Sequence, residues 1–164
     1  MDETLDLINE KNEVIGLATR KEVEAAGLLY RSSEIFVFVG GKIAIQQRSV
    51  NKSKRPGYFS IVGETVKSGE TFEHAAIRGV KEELGLNAKN LRKIGEKIIR
   101  DKLYNDNMLM ALFVCNGEGK MEIDKSEVEQ VILMSEKEIE HFLISREKIS
   151  PALIEGFKMY KGLV

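Results

Sequence analysis

The chain has 164 residues, of which 43% are hydrophobic, enough to bury the core of one globular domain, so we expect a single domain over residues 1–164. A formal charge of −1, from 25 basic and 26 acidic residues, provides no overall field that favours nucleic acid or a membrane as a partner. The single cysteine, Cys115, excludes an internal disulfide and lies in an apolar run that predicts a buried thiol. The N-terminal segment lacks the apolar run of a signal peptide or membrane span, which predicts a cytoplasmic protein.

The first half of the chain alternates short apolar runs with turn residues. It predicts, in order, two strands around the turn "NEKN" in 4–20, a brief helix over 20–27, a hairpin turning at Gly40-Gly41 in 33–49, a basic loop over 49–60 and a strand over 58–64. A helix over 71–84 follows and ends at Gly85.

The second half predicts another hairpin and two helices. Its elements are strands over 91–104 and 107–116 joined through "NDN", a short strand over 129–135, a helix over 135–145 capped by Ser135 and a helix over 150–164 with Pro151 in its first turn. Strands and helices mixed in this order predict a mixed sheet covered by helices on both faces.

The helix over 71–84 has one apolar and one polar face. Phe72, Ala76, Val80 and Leu84 recur every four residues, with Ala75 and Ile77 widening the stripe that is expected to pack on the sheet. The polar face is expected to carry Arg78, Glu82 and Glu83, with Gly79 among them. A solvated charged face is one interpretation, but a glycine inside a helix costs about 1 kcal/mol relative to alanine and needs a reason.

The spacing of the whole segment resembles the Nudix box, G-x5-E-x7-R-E-U-x-E-E-x-G-U with U apolar. Seven of the nine specified positions match: Glu70, Arg78, Val80, Glu82, Glu83, Gly85 and Leu86. Gly63 matches the glycine that often precedes the box, and segments 12–38 and 46–60 are similar to the Nudix subgroup that includes the isopentenyl diphosphate isomerases. The resemblance covers about residues 5–145 and implies a Nudix-type α/β/α sandwich.

The resemblance also implies a chemistry. Nudix enzymes hydrolyse a nucleoside diphosphate linked to another group, by attack of water on phosphorus with Mg²⁺ or Mn²⁺ present. By the same resemblance, Glu82, Glu83 and the Gly63 carbonyl correspond to metal ligands and Glu70 to a residue that supports the loop. Arg78 is expected to orient a carboxylate, since its guanidinium suits bidentate pairing.

Two positions of the box differ from the pattern. Glu64 stands where the box has its first glycine, and Gly79 stands where it has the glutamate after the arginine, usually a metal ligand. One interpretation is degeneration, which leaves a diphosphate-binding module with a weak metal site. The other is exchange, in which Glu64 places its carboxylate over the bare backbone of Gly79 and replaces the missing ligand.

The isomerases themselves have a cysteine at the position of Gly63 and a metal-binding histidine at that of Thr65, so isomerase activity is not expected. The only histidines, His74 and His141, lie on two different predicted helices and do not form a histidine-rich metal site.

Further candidates lie outside the box. Glu127 matches a position from which many Nudix hydrolases supply a metal ligand or general base, although a surface glutamate fits the sequence equally well. The basic loop carries Arg48, Lys52, Lys54 and Arg55, which either bind substrate phosphates or are simply solvated. The expected partner is a small-molecule diphosphate, whose identity the sequence leaves open, and a homodimer is a further possibility.

Overall fold

The computed structural model describes residues 2–162, and the last two residues of the helix predicted over 150–164 lie outside this range. Its strands are β1 Thr4–Ile8, β2 Val14–Thr19, β3 Leu29–Val39, β4 Lys42–Arg48, β5 Phe59–Ser60, β6 Val62–Thr65, β7 Asn87–Asp101, β8 Asp106–Glu118 and β9 Val128–Met134. Its helices are α1 Arg20–Ala26, α2 Phe72–Leu84, α3 Glu136–Ser145 and α4 Pro151–Tyr160. No described helix is long and apolar enough to span a membrane.

The main sheet has seven strands and mixed direction. Its central order is β5-β4-β3-β8-β7, with β6 also paired to β3 and β9 to β4, while β1 and β2 form a separate two-stranded sheet. The β3–β8 pair is parallel and the other pairs of the main sheet are antiparallel. The predicted mixed sheet is therefore confirmed.

Helices cover both faces of this sheet. On one face, Ala76, Val80 and Leu84 of α2 pack on Ile35 and Phe113. On the other, Ile139 and Phe142 of α3 join Leu153 and Phe157 of α4 in a cluster that includes Phe36 and Ile45 of the sheet. This arrangement is the predicted α/β/α sandwich, and each face buries the apolar stripe of its helices.

Local signals explain where the helices begin and end. Thr71, Ser135 and Ser150 cap α2, α3 and α4 by accepting a hydrogen bond from the backbone N–H of the third residue of each helix, and Pro151 occupies the first turn of α4 as predicted. Gly85 ends α2 in the left-handed region at φ 72°, where glycine carries no steric penalty.

Several details differ from the sequence prediction. The strands β3 and β7 each begin four residues earlier than predicted, at Leu29 and Asn87. The turn between β7 and β8 covers residues 102–105 and not "NDN", because Asn105 adopts a positive φ of 50° and Asp106 already pairs with Asp101. The predicted strand over 58–64 is two short strands, since β5 pairs with β4 while β6 pairs with β3. Ile77 does not widen the buried stripe but is 47% exposed, because it points away from the sheet.

The separation of β3 from β4 creates the space for a site. The two strands pair only next to their turn, through Phe38–Ile43 and Val39–Lys42. Further along, β4 pairs with β9 and β5, whereas β3 pairs with β6 and β8. A cleft opens between the diverging strands, beside α2.

Candidate active site

The cleft has two connected parts, which we call the outer cleft and the inner pocket. The outer cleft has a volume of about 570 Å³, and its lining residues include Arg48, Lys52, Lys54, Gly63, Glu64, Glu82, Glu83 and Glu127. The inner pocket has a volume of about 120 Å³, and its lining residues include Tyr30, Ser32, Glu34, Gln46, Arg55 and Asp106. Gly63, Glu64 and Glu83 line both, so the inner pocket lies behind the box residues.

Arg78 forms ion pairs with three carboxylates. Its Nε and Nη2 donate to the two carboxylate oxygens of Glu70 at 3.0 and 2.9 Å, and its Nη1 lies 3.0 Å from Glu64 and 3.5 Å from Glu82. Although burial opposes it, hydrogen bonding from Arg78 holds the pKa of Glu70 below its usual range. Arg78 therefore orients Glu64 and Glu82 toward one point at the mouth of the cleft.

Glu70 also fixes the loop before α2. Its Oε1 accepts a hydrogen bond from the backbone N–H of Lys67 at 3.0 Å, while Arg78 donates to the carbonyl of Thr65 at 2.9 Å. These bonds tie the segment between β6 and α2 to the middle of the helix, which is the geometry expected of a loop-supporting glutamate.

Glu64 lies directly against Gly79. A Cβ atom added at Gly79 would sit 2.8 Å from the Cβ of Glu64, closer than real Cβ contacts allow, and Gly79 is buried. Burial raises the pKa of Glu64, although the Arg78 guanidinium opposes this shift. The missing side chain at position 79 provides the room that Glu64 occupies.

Glu83 turns inward and leaves the polar face on which the sequence analysis placed it beside Glu82. Gln46 donates to its Oε1 at 2.7 Å and to the carbonyl of Ile61 at 3.1 Å. Within residues 2–162, Glu83 Oε2 and Gln46 Oε1 are the buried side-chain polar atoms that lack a hydrogen-bond partner. Burial raises the pKa of Glu83 well above its usual range. The side chain of Glu82, by contrast, is 57% exposed.

Glu127 and the first two cations of the basic loop stand at the rim. Glu127 is half exposed and forms an ion pair with Lys52, and its backbone carbonyl accepts a hydrogen bond from the N–H of Ser49 at 3.0 Å. Arg48 donates through Nε to the carbonyl of Lys54 at 3.1 Å and makes no ion pair with the acidic side chains described. Its guanidinium lines both parts of the cleft.

The other two cations are held by aspartates. Arg55 Nη2 lies 2.7 Å from Asp106 and 2.9 Å from Asp101, and Lys54 lies 3.6 Å from Asp106. The hydroxyl of Tyr30 donates to Asp106 at 2.9 Å. Arg55 therefore ties the basic loop to the β7–β8 hairpin, a role that the grouping of four cations did not predict.

Two polar residues of the site, both on strands, were not predicted from the sequence. Glu34 is 5% exposed, and its Oε1 accepts from Ser32 Oγ at 2.8 Å; burial raises the pKa of Glu34 to about 8. Glu34 directly precedes the apolar run "IFVF", so its position in the sequence is typical of a polar residue at the end of a strand. Gln46 had a usable signal, since it follows Ala44 by two residues and so lies on the face toward α2.

Three carboxylates thus converge without forming a closed cage. Within residues 2–162, no three His, Cys, Asp or Glu side chains lie close enough together to hold a metal ion as they stand. Arg78 bridges Glu64 and Glu82, and Glu83 forms the wall behind them.

Comparison with known proteins identifies the class of this fold and site. The NUDIX domain matches residues 29–153. The structure of DR0079 from Deinococcus radiodurans superposes with a TM-score of 0.78 at 22% identity, covering 95% of this chain and 98% of that one. A MutT protein from Methanosarcina mazei Go1 gives a TM-score of 0.67 at 15% identity, covering 82% and 94%. The architecture is thus that of the Nudix fold.

The chain belongs to the Nudix family. It is 34% identical over 139 residues to the uncharacterized Nudix hydrolase YfcD of Escherichia coli K12, covering 84% of this chain and 76% of the relative. It is 25% identical over 130 residues to the uncharacterized Nudix hydrolase PA4841 of Pseudomonas aeruginosa, covering 78% and 76%. The family supports a hydrolase of the pyrophosphohydrolase type.

Proposed function

We propose that the protein hydrolyses a phosphoanhydride bond in a nucleoside diphosphate-linked or related small molecule, with Mg²⁺ or Mn²⁺ as cofactor and water attacking phosphorus. The observation that carries the proposal is the pair of buried oxygens without donors, Glu83 Oε2 and Gln46 Oε1, in the wall of a cleft where two more carboxylates converge. Buried acceptors without a donor are costly, and a bound cation or its water would satisfy them.

The residues present suit a hard divalent cation. Glu64, Glu82, Glu83 and the carbonyl of Gly63 would hold it, all through oxygen atoms, which Mg²⁺ and Mn²⁺ prefer. When bound, such a cation neutralises the negative charge that builds on the phosphoryl oxygens during attack. Arg78 would keep Glu64 and Glu82 together in the absence of the cation, because it contacts both.

The exchange of Glu64 for the carboxylate missing at Gly79 is part of this proposal. It is supported by the tight contact between the two positions, which leaves no room for a side chain at 79 while Glu64 is present. A lost ligand alone would not account for a second carboxylate placed over the same glycine.

The rim would bind the phosphates and assist the water. Arg48 is the best candidate for a phosphate oxygen, since it lines the cleft and pairs with no described carboxylate; Lys52 and Lys54 stand beside it. Glu127 would act as a further metal ligand or as the general base, and both roles stay predictions. Arg55 would support this loop through its aspartates and would not serve as a phosphate ligand.

Kinship with the isomerase-like subgroup remains a prediction, and isomerase activity is not proposed. A side chain at Gly63, where the isomerases have a cysteine, would place its Cβ 2.5 Å from the carboxylate of Glu34. A cytoplasmic location, a homodimer and the lack of a nucleic-acid partner also stay predictions.

A second candidate function is a diphosphate-binding module with weak or no turnover. It is favoured by the ion pair between Glu64 and Arg78, because a carboxylate already neutralised by a guanidinium offers less to a cation. This candidate predicts ligand binding by calorimetry without product after prolonged incubation.

The test is a screen of phosphoanhydrides, including nucleotide sugars, dinucleotides, nucleoside di- and triphosphates and isoprenoid diphosphates. Release of phosphate or a nucleoside monophosphate would be measured with Mg²⁺, with Mn²⁺ and with a chelator. We expect metal-dependent product from at least one class. Binding without product in every class would instead support the second candidate.

A further inference from the structure

The inner pocket contains a buried acceptor that the proposed metal chemistry does not use. Glu34 is 5% exposed, and Ser32 donates to its Oε1. Its Oε2 accepts no hydrogen bond from the described residues, and none of the lysines or arginines described lies within ion-pair distance of it. Because Glu34 Oε2 is not among the fully buried atoms without a partner, it is open to the cavity, where a ligand hydroxyl can take the place of water.

The backbone opposite makes room for this carboxylate. Gly63 faces Glu34 across the β3–β6 pair, and a Cβ at position 63 would lie 2.5 Å from Glu34 Oε2 and 2.8 Å from Oε1. The side chain of Glu34 therefore fills the space that a side chain at 63 would need, and it stands next to the site expected to hold the reacting phosphate.

Among the other acidic side chains of the inner pocket, Asp106 is already occupied, Glu24 is paired with Arg20, and Glu64 and Glu83 belong to the proposed metal site. Asp106 accepts from Tyr30 and Arg55 and lies near Lys54. A ligand entering from the outer cleft would thus find Glu34 Oε2 as a carboxylate oxygen that is neither paired with a described residue nor assigned to the metal. Gln46 Oε1, also without a described partner, lines the same pocket.

Charge decides which ligand chemistry fits. Four cationic and five acidic side chains line the inner pocket, so its walls are nearly balanced and favour neither an ammonium nor a second phosphate. A hydroxyl is neutral, and it both donates and accepts, so it can pair with Glu34 in either protonation state. A volume of about 120 Å³ is close to the roughly 150 Å³ of a cavity that takes up benzene, which suits the hydroxyl-bearing edge of a sugar.

We propose that the inner pocket is a recognition subsite for a sugar hydroxyl of the diphosphate substrate, with Glu34 as the specificity-determining residue. This inference rests on the proposed function, because it assumes that the diphosphate occupies the outer cleft. The hydroxyl can belong to the ribose of a nucleotide or to a diphosphate-linked hexose, since both present the same chemistry to Glu34. Isoprenoid diphosphates, which lack hydroxyls, are disfavoured.

The experiment compares binding of matched ligands by calorimetry with Mg²⁺ present. One arm uses α,β-methylene-ADP and its 2′-deoxy and 3′-deoxy analogues; the other uses the methylene-bridged analogue of UDP-glucose and its deoxyglucose counterparts. In the wild type we expect a deoxy ligand in one arm to bind about 10-fold more weakly than its parent, the usual effect of leaving one partner of a buried hydrogen bond unpaired.

Variants assign this preference to Glu34. Glu34→Met, which removes both acceptors at similar size, should lower the ratio to less than about threefold, whereas Glu34→Gln should keep part of it. Ser32→Ala should also lower the ratio, because Ser32 orients the carboxyl group. Glu118→Met, at an exposed glutamate of β8, serves as the control and should keep the wild-type ratio. Circular dichroism would verify that each variant is folded.

Two results would overturn the inference: equal binding of parent and deoxy ligands in both arms, or a wild-type ratio that persists in folded Glu34→Met and Ser32→Ala proteins. Failure of the proposed function looks different. A hydroxyl preference without metal-dependent hydrolysis of the natural parent compounds would contradict the proposed hydrolase and support the subsite. Metal-dependent hydrolysis without a hydroxyl preference would support the hydrolase and contradict the subsite.

Discussion

Gly79 and Glu64 form the contact on which the variant box depends. Replacing a helix-interior glycine by alanine ordinarily adds about 1 kcal/mol of stability, but here the new Cβ would meet Glu64 Cβ at 2.8 Å, and overpacking costs about 1–3 kcal/mol. We expect Gly79→Ala to lower the free energy of unfolding in the wild type and to raise it in a Glu64→Gly background. Urea denaturation of the wild type, the two single variants and the double variant measures this coupling. Identical effects of Gly79→Ala in both backgrounds would show that Glu64 does not limit the space at position 79.

The same two positions should be coupled in function. Glu64→Gly should weaken the Mg²⁺ dependence of turnover, Gly79→Glu should crowd the site, and the double variant, which restores the ordinary box, should recover much of the activity. The measurement is turnover against Mg²⁺ concentration for each protein. Strictly additive losses would identify Gly79 as a lost ligand and Glu64 as a bystander.

Buried acids should make stability depend on pH. Burial raises the pKa of Glu34 from 4.5 to about 8, so the folded state holds a proton that the unfolded state releases. The stabilisation is complete below about pH 4.5 and is lost as pH rises through 8, by at most about 1.4 kcal/mol per unit. Glu34→Gln should flatten this decline in denaturation curves of metal-free protein. Part of the slope should remain, because the pKa of Glu83 is raised in the same direction. An equally steep fall in the free energy of unfolding of Glu34→Gln would show that other groups cause the pH dependence.

Residue roles were predictable only where the chain itself carries the spacing. Glu70, Arg78 and Glu82 lie within one loop and one helix, so their positions follow from helix geometry. Glu34 and Gln46 reach the cleft only because β3 and β4 separate, and that divergence has no local signature. The same limit explains why Glu83 was placed beside Glu82, since its hydrogen-bond partner comes from a distant strand.

At the level of elements, the basic loop is anchored through Arg55. Its guanidinium bridges Asp101 and Asp106, which lie at the two ends of the β7–β8 turn. The side chain of Asp106 is buried, and those of Arg55 and Asp101 are 14% and 12% exposed. Removing one partner of a buried ion pair leaves an uncompensated charge and costs about 3–5 kcal/mol. Arg55→Ala should therefore lower the free energy of unfolding by about 3 kcal/mol or more, measured by urea denaturation.

Lys54→Ala provides the matched control. Lys54 lies 3.6 Å from the same Asp106, without the short hydrogen bonds of Arg55, so its removal should cost less than about 1 kcal/mol. Equal losses for the two variants would contradict the structural role of Arg55 and return it to the group of candidate phosphate ligands.

Elements were predicted well because their signals are local. Gly40-Gly41 predicted the β3–β4 turn, and Ser135 and Pro151 predicted the starts of α3 and α4. The β7–β8 turn was misplaced by a few residues, since Asn105 ends the turn and does not begin it. The division of 58–64 into two strands depends on two different partner strands and could not be read from the segment alone.

At the level of the whole molecule, the sandwich brings a helix, a loop and two diverging strands to one cleft. The α2 helix supplies Glu82 and Glu83, β6 supplies Glu64, and the loop after β4 supplies the cations. The order of elements predicted the layers, and membership of the Nudix family agrees with them. The substrate was not predictable, because the residues that face it come from segments distant in the chain.

The central claim is that this cleft hydrolyses a phosphoanhydride through a carboxylate-bound divalent cation. The most direct measurement is the Mg²⁺-dependent turnover of Glu83→Gln on the best substrate of the screen, beside the exposed control Glu118→Gln. We expect Glu83→Gln to stay folded and to lose at least about 100-fold in turnover, the effect of about 2.7 kcal/mol of lost transition-state stabilisation, while the control keeps wild-type turnover. Unchanged Mg²⁺-dependent turnover in Glu83→Gln would contradict the claim.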